Sequence, residues 1–118
     1  MTDLPTPVER GDLPRPVLRY LDAHNAGDAA ACAALMAPDV QVTDDGRTYD
    51  GPAAVEAWLG RATSEYTYTT RYLGAVRDGP DRWTVTQRLD GDFPGNTVDL
   101  RYAFTLAGDL VRRLVIAP

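Results

Sequence analysis

The chain has 118 residues, enough for one core of ordinary domain size and too few for a second folded unit. Hydrophobic residues make up 44% and charged residues 25%, a balance that excludes intrinsic disorder. The formal charge of −5, from 12 arginines against 17 carboxylates, repels a phosphate backbone or an anionic lipid surface, so neither nucleic acid nor membrane is expected as a partner.

Residues 1–11 read as an N-terminal tail of proline and threonine turn-formers, and the single domain is expected to span 12–118. Asp12 is placed to cap a first helix with Pro14 and Pro16 in its opening turn and Val17, Tyr20, Leu21 and His24 at helical spacing. Asn25-Ala26-Gly27-Asp28 ends it, with Gly27 suited to the left-handed C-terminal position. Asp28 then caps a short alanine-rich helix that is expected to run to Pro38 and to be buried by Leu35 and Met36. Val40, Val42 and Asp44 alternate with Gln41 and Thr43 as a strand before the Asp45-Gly46 turn, which delivers Asp44 to the inner face. Gly51-Pro52 opens a third helix with Val55, Trp58, Leu59 and Ala62 on one side.

From there the pattern is that of strands, over approximately 66–77, 82–90, 97–107 and 110–116, joined as an antiparallel meander. Tyr66, Tyr68 and Tyr72, then Trp83, Val85, Gln87 and Leu89, then Leu100, Tyr102, Phe104 and Leu106 share the inward parity. Thr67, Thr69, Arg71, Thr84, Thr86, Arg88, Asp99, Arg101 and Thr105 form a polar outer face that can hydrate or meet a second subunit. The expected fold class is α+β: a curved, mainly antiparallel sheet wrapped around three helices, in the order α-α-β-α-β-β-β-β, with a pocket between the layers.

The chemistry available to that pocket is narrow. The chain has no lysine, one serine (Ser64), one histidine (His24) and one cysteine (Cys32). Schiff-base chemistry, a P-loop, an internal disulfide and a Cys/His zinc site are thereby removed, and neither Ser64 nor His24 sits in a nucleophile-elbow sequence. No metal and no cofactor are expected, and aspartate, tyrosine and arginine remain. No apolar run reaches the roughly 20 residues of a bilayer span, and the N-terminus has no basic stretch leading into an apolar one, so a cytoplasmic location is expected.

Asp44 is either a general base, with a pKa raised by burial, or a turn residue capping backbone amides. Tyr20 either donates to a developing oxyanion or is a core tyrosine, and His24, which can line the cavity or cap the end of its helix, is expected to cap. Trp58, Trp83, Tyr68 and Phe104 are either pocket walls or plain core. Asp99 and Arg101, two apart on one strand, are expected to form a surface ion pair. Cys32 reads as a small buried hydrophobe.

The element order, the segment Arg19-Tyr20-Leu21-Asp22-Ala23-His24-Asn25-Ala26-Gly27-Asp28 and the segment Met36-Ala37-Pro38-Asp39-Val40 resemble the nuclear-transport-factor-2-like superfamily. Within it the chain is most similar to the SnoaL-like and ketosteroid-isomerase-like branch, over residues 14–117. The resemblance implies a cystatin-like cone, a homodimer paired through the outer face, and a pocket for a small apolar molecule. It places Tyr20 at the oxyanion tyrosine and Asp44 at the catalytic base, with Tyr102 at the position of the isomerases' protonated acid. It thus implies proton transfer on a small apolar carbonyl compound, as isomerase or cyclase, with Tyr102, Trp58, Tyr68, Gln87 and Phe104 around the substrate. A non-catalytic ligand-binding or dimeric interaction module stands as the alternative. Asp99 and Arg101 superficially match the Asp-Arg-Asp set of limonene-epoxide-hydrolase-like relatives, in the wrong order and on the wrong face.

Overall fold

The computed structural model describes residues 5–65 and 68–118, the side chains of 62–65 excepted. Tyr66, Thr67, the first four residues of the expected tail and the side chains of Ala62 and Ser64 therefore lie outside the described residues.

Helix α1 spans Arg15–Asn25 and buries Pro16, Val17, Tyr20, Leu21 and His24, the face its apolar spacing defines. Asp12 does not cap it. Asp12 belongs to a 3-10 turn, Arg10–Asp12, and the residue before the helix is Pro14, whose carbonyl accepts from the amides of Val17 and Leu18 at 3.0 and 3.1 Å. Leu13 precedes a proline and is held extended, which separates Asp12 from the helix start. At the other end Gly27 is left-handed (φ +70°); its amide reaches the His24 carbonyl at 3.0 Å and the Asp28 amide reaches Ala23 at 2.9 Å, a Schellman closure. Asp28 Oδ1 then accepts the Ala31 amide at 3.0 Å and caps α2, Ala29–Ala33.

Helix α2 stops earlier than expected, because the chain from Met36 onward is already a strand. Strand β2 runs Met36–Asp44, and Pro38 falls where its register slips between Met36 and Gln41, a place that needs no ladder amide. Two short strands were not anticipated. Strand β1, Thr6–Val8, lies in the expected tail and pairs with the strand that begins at Tyr68; strand β3, Arg47–Asp50, forms a hairpin with β2. The hairpin turn is Asp45-Gly46, with φ of 53° and 75°, the doubly left-handed geometry that suits the twist of two-residue hairpins.

Helix α3 follows over Pro52–Glu65, then the meander β4 (Tyr68–Gly79), β5 (Arg82–Gly91), β6 (Thr97–Ala107) and β7 (Leu110–Ala117). All seven strands form one sheet in the order β1-β4-β5-β6-β7-β2-β3, antiparallel throughout except for the parallel pair β2 and β7. The fold is therefore the expected α+β cone with two short edge strands added. None of the described helices is long and apolar enough to cross a membrane.

The inward parity holds along β5 and β6, where Val85, Gln87, Leu89, Tyr102, Phe104 and Leu106 are buried. In β4 Leu73 follows the alternation outward, 42% exposed, and a bulge there shifts the parity beyond it, so that Ala75 as well as Tyr72 packs toward the core. Arg88 lies directly across from Asp99 on the outer face and bonds to it bidentately at 2.8 and 3.1 Å. Asp99 thus pairs with Arg88, across the strands, and not with Arg101, whose guanidinium reaches the Pro118 carbonyl.

Candidate functional site

The site is organised by Asp44. Val40 and Val42 enter the core, and the same alternation carries Asp44, at the end of β2, to the inner side next to the open end of the cone. Trp58, on the buried face of α3, donates Nε1–H to Asp44 Oδ2 at 3.1 Å and stacks on Tyr49 of β3, ring centroids 5.7 Å apart. Strand β3 thus holds the indole that holds the carboxylate. Burial pushes the Asp44 carboxyl above its ordinary range; the Trp58 bond pulls it back in part, and the neighbouring Asp45 carboxylate adds to the rise.

Asp44 faces a cavity of about 600 Å³, within the range of small-molecule sites. His24, Trp58, Tyr68 and Tyr102 form its polar and aromatic wall, and Leu89, Leu100 and Ile116 supply apolar surface. Phe93 and Pro94, on the loop between β5 and β6, complete its rim together with Asp45. Burial raises the Tyr68 phenol, and it raises Tyr102 well above the ordinary tyrosine value. For Tyr102 an ionised Tyr68 would add repulsion, Gln87 exerts an opposite, smaller pull, and Asp44 adds a final upward contribution. Both phenols therefore remain protonated donors at neutral pH.

Of the residues singled out from sequence, Asp44, Trp58, Tyr68 and Tyr102 come together at this cavity; Trp83 lies outside it, under the Arg77 guanidinium, and Tyr20, Gln87 and Phe104 stand behind its wall. All three are buried. Tyr20 is completely enclosed, edge-on to Phe104 at 5.4 Å, with a hydroxyl that has no hydrogen-bond partner. Burial raises its pKa most, followed by repulsion from Cys32, Tyr102, Asp44 and Tyr68. Gln87 Nε2 also lacks a hydrogen bond of ordinary geometry. Cys32 is buried, its thiol pushed up to about 12 by burial and, second, by Asp28, and its Sγ lies 3.9 Å from the Tyr20 carbonyl.

His24 does not act as the expected helix cap. Its ring turns into the cavity wall, stacks on Tyr20 at 5.7 Å and meets Tyr102 edge-on at 6.3 Å, and burial lowers its pKa. The spacing of Tyr20 and His24 on one helical face carried that placement; the position at the helix end pointed the other way. Asp99 and Arg101 are exposed and absent from the cavity, which removes the epoxide-hydrolase arrangement. Among the described residues no group of three or more histidine, cysteine or carboxylate side chains could hold a metal ion.

A family model for the SnoaL-like domain matches residues 17–109, most of the chain, including α1, β2 with Asp44, and Tyr102. The chain belongs to the SnoaL-like domain family. A candidate polyketide cyclase of Sinorhizobium meliloti superimposes with a TM-score of 0.86 at 34% identity, covering 93% of this chain and 100% of its own. A protein of ketosteroid-isomerase-like fold from Catenulispora acidiphila, crystallised with trimethylamine, gives a TM-score of 0.78 at 19% identity, with 89% and 85% of the two chains covered. The Mycobacterium tuberculosis protein RV0760c, crystallised with estradiol-17β-hemisuccinate, gives 0.72 at 19% identity, with 87% and 90% covered. These last two share the fold. Among functionally curated proteins, none is significantly similar to this chain.

Proposed function

We propose that this SnoaL-like protein is a cofactor-independent acid–base enzyme acting on a small, largely apolar carbonyl compound, as an isomerase or cyclase. Asp44 moves the proton and the Tyr102 phenol stabilises charge on oxygen, while Tyr20, enclosed behind the wall, backs the His24 and Phe104 rings. The observation that carries the reading is a carboxyl held by one indole N–H, raised by burial, at the wall of a cavity of about 600 Å³. A base of this kind needs a proton affinity above that of a solvated carboxylate, and partial burial supplies it. Trp58, Tyr68, Gln87 and Phe104 shape the apolar envelope around the substrate, the first two by contact and the last two by backing the wall.

General acid–base catalysis contributes on the order of a hundred- to ten-thousand-fold, so Asp44→Asn is expected to reduce turnover of an enolisable cyclic ketone by that order with the circular dichroism spectrum unchanged. Retained turnover in the folded variant refutes the mechanism. The second reading, a non-catalytic binding module, is favoured by the two neighbours crystallised with small organic molecules. Ligand binding that survives in Asp44→Asn, with no turnover in either protein, would establish it. A homodimer through the outer face and cytoplasmic residence belong to the same proposal.

A further inference from the structure

His24 is the sole histidine of the chain, and it is 8% exposed in the wall of the Asp44 cavity. Its ring is stacked on Tyr20 and edge-on to Tyr102. Nδ1 is sealed from solvent and has no hydrogen-bond partner, so the imidazole can meet a ligand only through Nε2. A sealed, unpartnered position suits a bare nitrogen better than an N–H, which puts the proton on Nε2. A neutral imidazole at a buried site costs far less than an imidazolium, and burial lowers the His24 pKa accordingly.

Among the described residues the cavity wall carries no arginine, and the chain has no lysine. The Trp58 N–H is already committed to Asp44, so negative charge forming on a ligand oxygen can be met by three neutral donors: Tyr68, Tyr102 and His24. The ionisable groups that face the imidazole are Asp44, Asp45, Tyr68 and Tyr102 across the cavity, with Tyr20 behind it.

We propose that His24 is a catalytic residue of this cavity, its Nε2–H donating to the carbonyl oxygen of an enolisable cyclic or aryl ketone whose acidic C–H lies at Asp44. The assignment rests on the reading of Asp44 as the base. In the step, the Asp44 carboxylate takes the proton from the carbon next to the carbonyl and the C–H pair becomes the new C=C bond. The carbonyl π pair moves to oxygen, where Nε2–H and the tyrosine hydroxyls hold it, and the proton on Asp44 returns to a carbon of the same ligand. No oxidant, reductant or external group is required.

A phenol mimics the planar oxyanion, and a lone histidine makes the test direct. Protein labelled with 15N-histidine is titrated with 4-nitrophenol while the Trp58 indole N–H reports occupancy independently. The expected result is a shift of the His24 Nε2 resonance that saturates together with Trp58, the ring staying neutral with its proton on Nε2. In addition, His24→Gln, which keeps a side-chain N–H, should retain most of the affinity, and His24→Phe should lose about tenfold or more. Saturation at Trp58 with unmoved His24 resonances, or undiminished affinity in His24→Phe, overturns the role of His24 and leaves the Asp44 mechanism standing. No response at either residue shows a cavity that takes no oxyanion, and both then fall.

Discussion

At the residue scale the site is a balance between burial and single hydrogen bonds. The Trp58 N–H is what opposes the rise in the Asp44 pKa, so Trp58→Phe is expected to raise that pKa further, as read from the carboxyl carbon shift across a pH titration. Asp44 and His24 also give stability opposite slopes in pH. Between the ordinary carboxylate value of 3.8 and the raised folded value of Asp44, the folded chain holds the extra proton, and stability falls as pH rises through that window. For His24 the unfolded chain holds the extra proton between the lowered folded value and the ordinary 6.5. Its contribution is therefore fully present above 6.5 and is lost as pH falls through the folded value. Urea unfolding across pH should show Asp44→Asn without the first slope and His24→Phe without the second. Asp44 was legible in the sequence because strict alternation with Val40 and Val42 fixes its face. His24 was not, because one residue at a helix end satisfies both a cap and a wall until the neighbouring sheet is in place.

At the scale of elements, caps and turns decide where α1 and α2 meet. The Asp28 carboxylate satisfies an orphan amide of a helix only five residues long, so Asp28→Ala is expected to cost about 1 kcal/mol in urea unfolding. The order of helices and the four-stranded meander could be read directly, since long segments repeat their period several times. Strands β1 and β3 could not, because three or four residues carry too little alternation to exceed the noise of a loop. The Asp45-Gly46 signal for a hairpin was present, yet only the strand before it was recognised. The early end of α2 has a different cause: pairing of Met36 with Val111 overrides the helix preference of the alanine run, a tertiary effect that local propensity does not contain.

At the scale of the whole molecule, the sheet has one face that closes on the helices and one that is free. Leu73 puts an apolar side chain, 42% exposed, in a groove of the outer face that Val76, Thr84, Thr86 and Arg101 also line. A homodimer across this face would cover it, and Leu73→Asp is then expected to shift the molecular mass in light scattering from two chains to one with no loss of secondary structure. A monomeric wild-type protein at high concentration counts against the dimer. The polar parity that suggested this face was visible in the sequence, and the same parity carries Leu73 outward with Thr69 and Arg71; the bulge beyond it, which turns Ala75 inward, was not visible.

The single parallel pairing has a consequence for the order in which the protein can assemble. Asp44 sits on a strand whose partner in the sheet is β7, with Asp44 against Ile116, while every strand of the meander finds a neighbour close by in sequence. A chain emerging from the ribosome can therefore close its first helices and much of the meander while β2 has only the short hairpin strand beside it. The carboxylate acquires its settled position when Leu110–Ala117 arrives. Ligand capture during synthesis should accordingly appear late and abruptly, and a ligand that grips the finished cavity would act as a clamp on a strand pairing far apart in sequence.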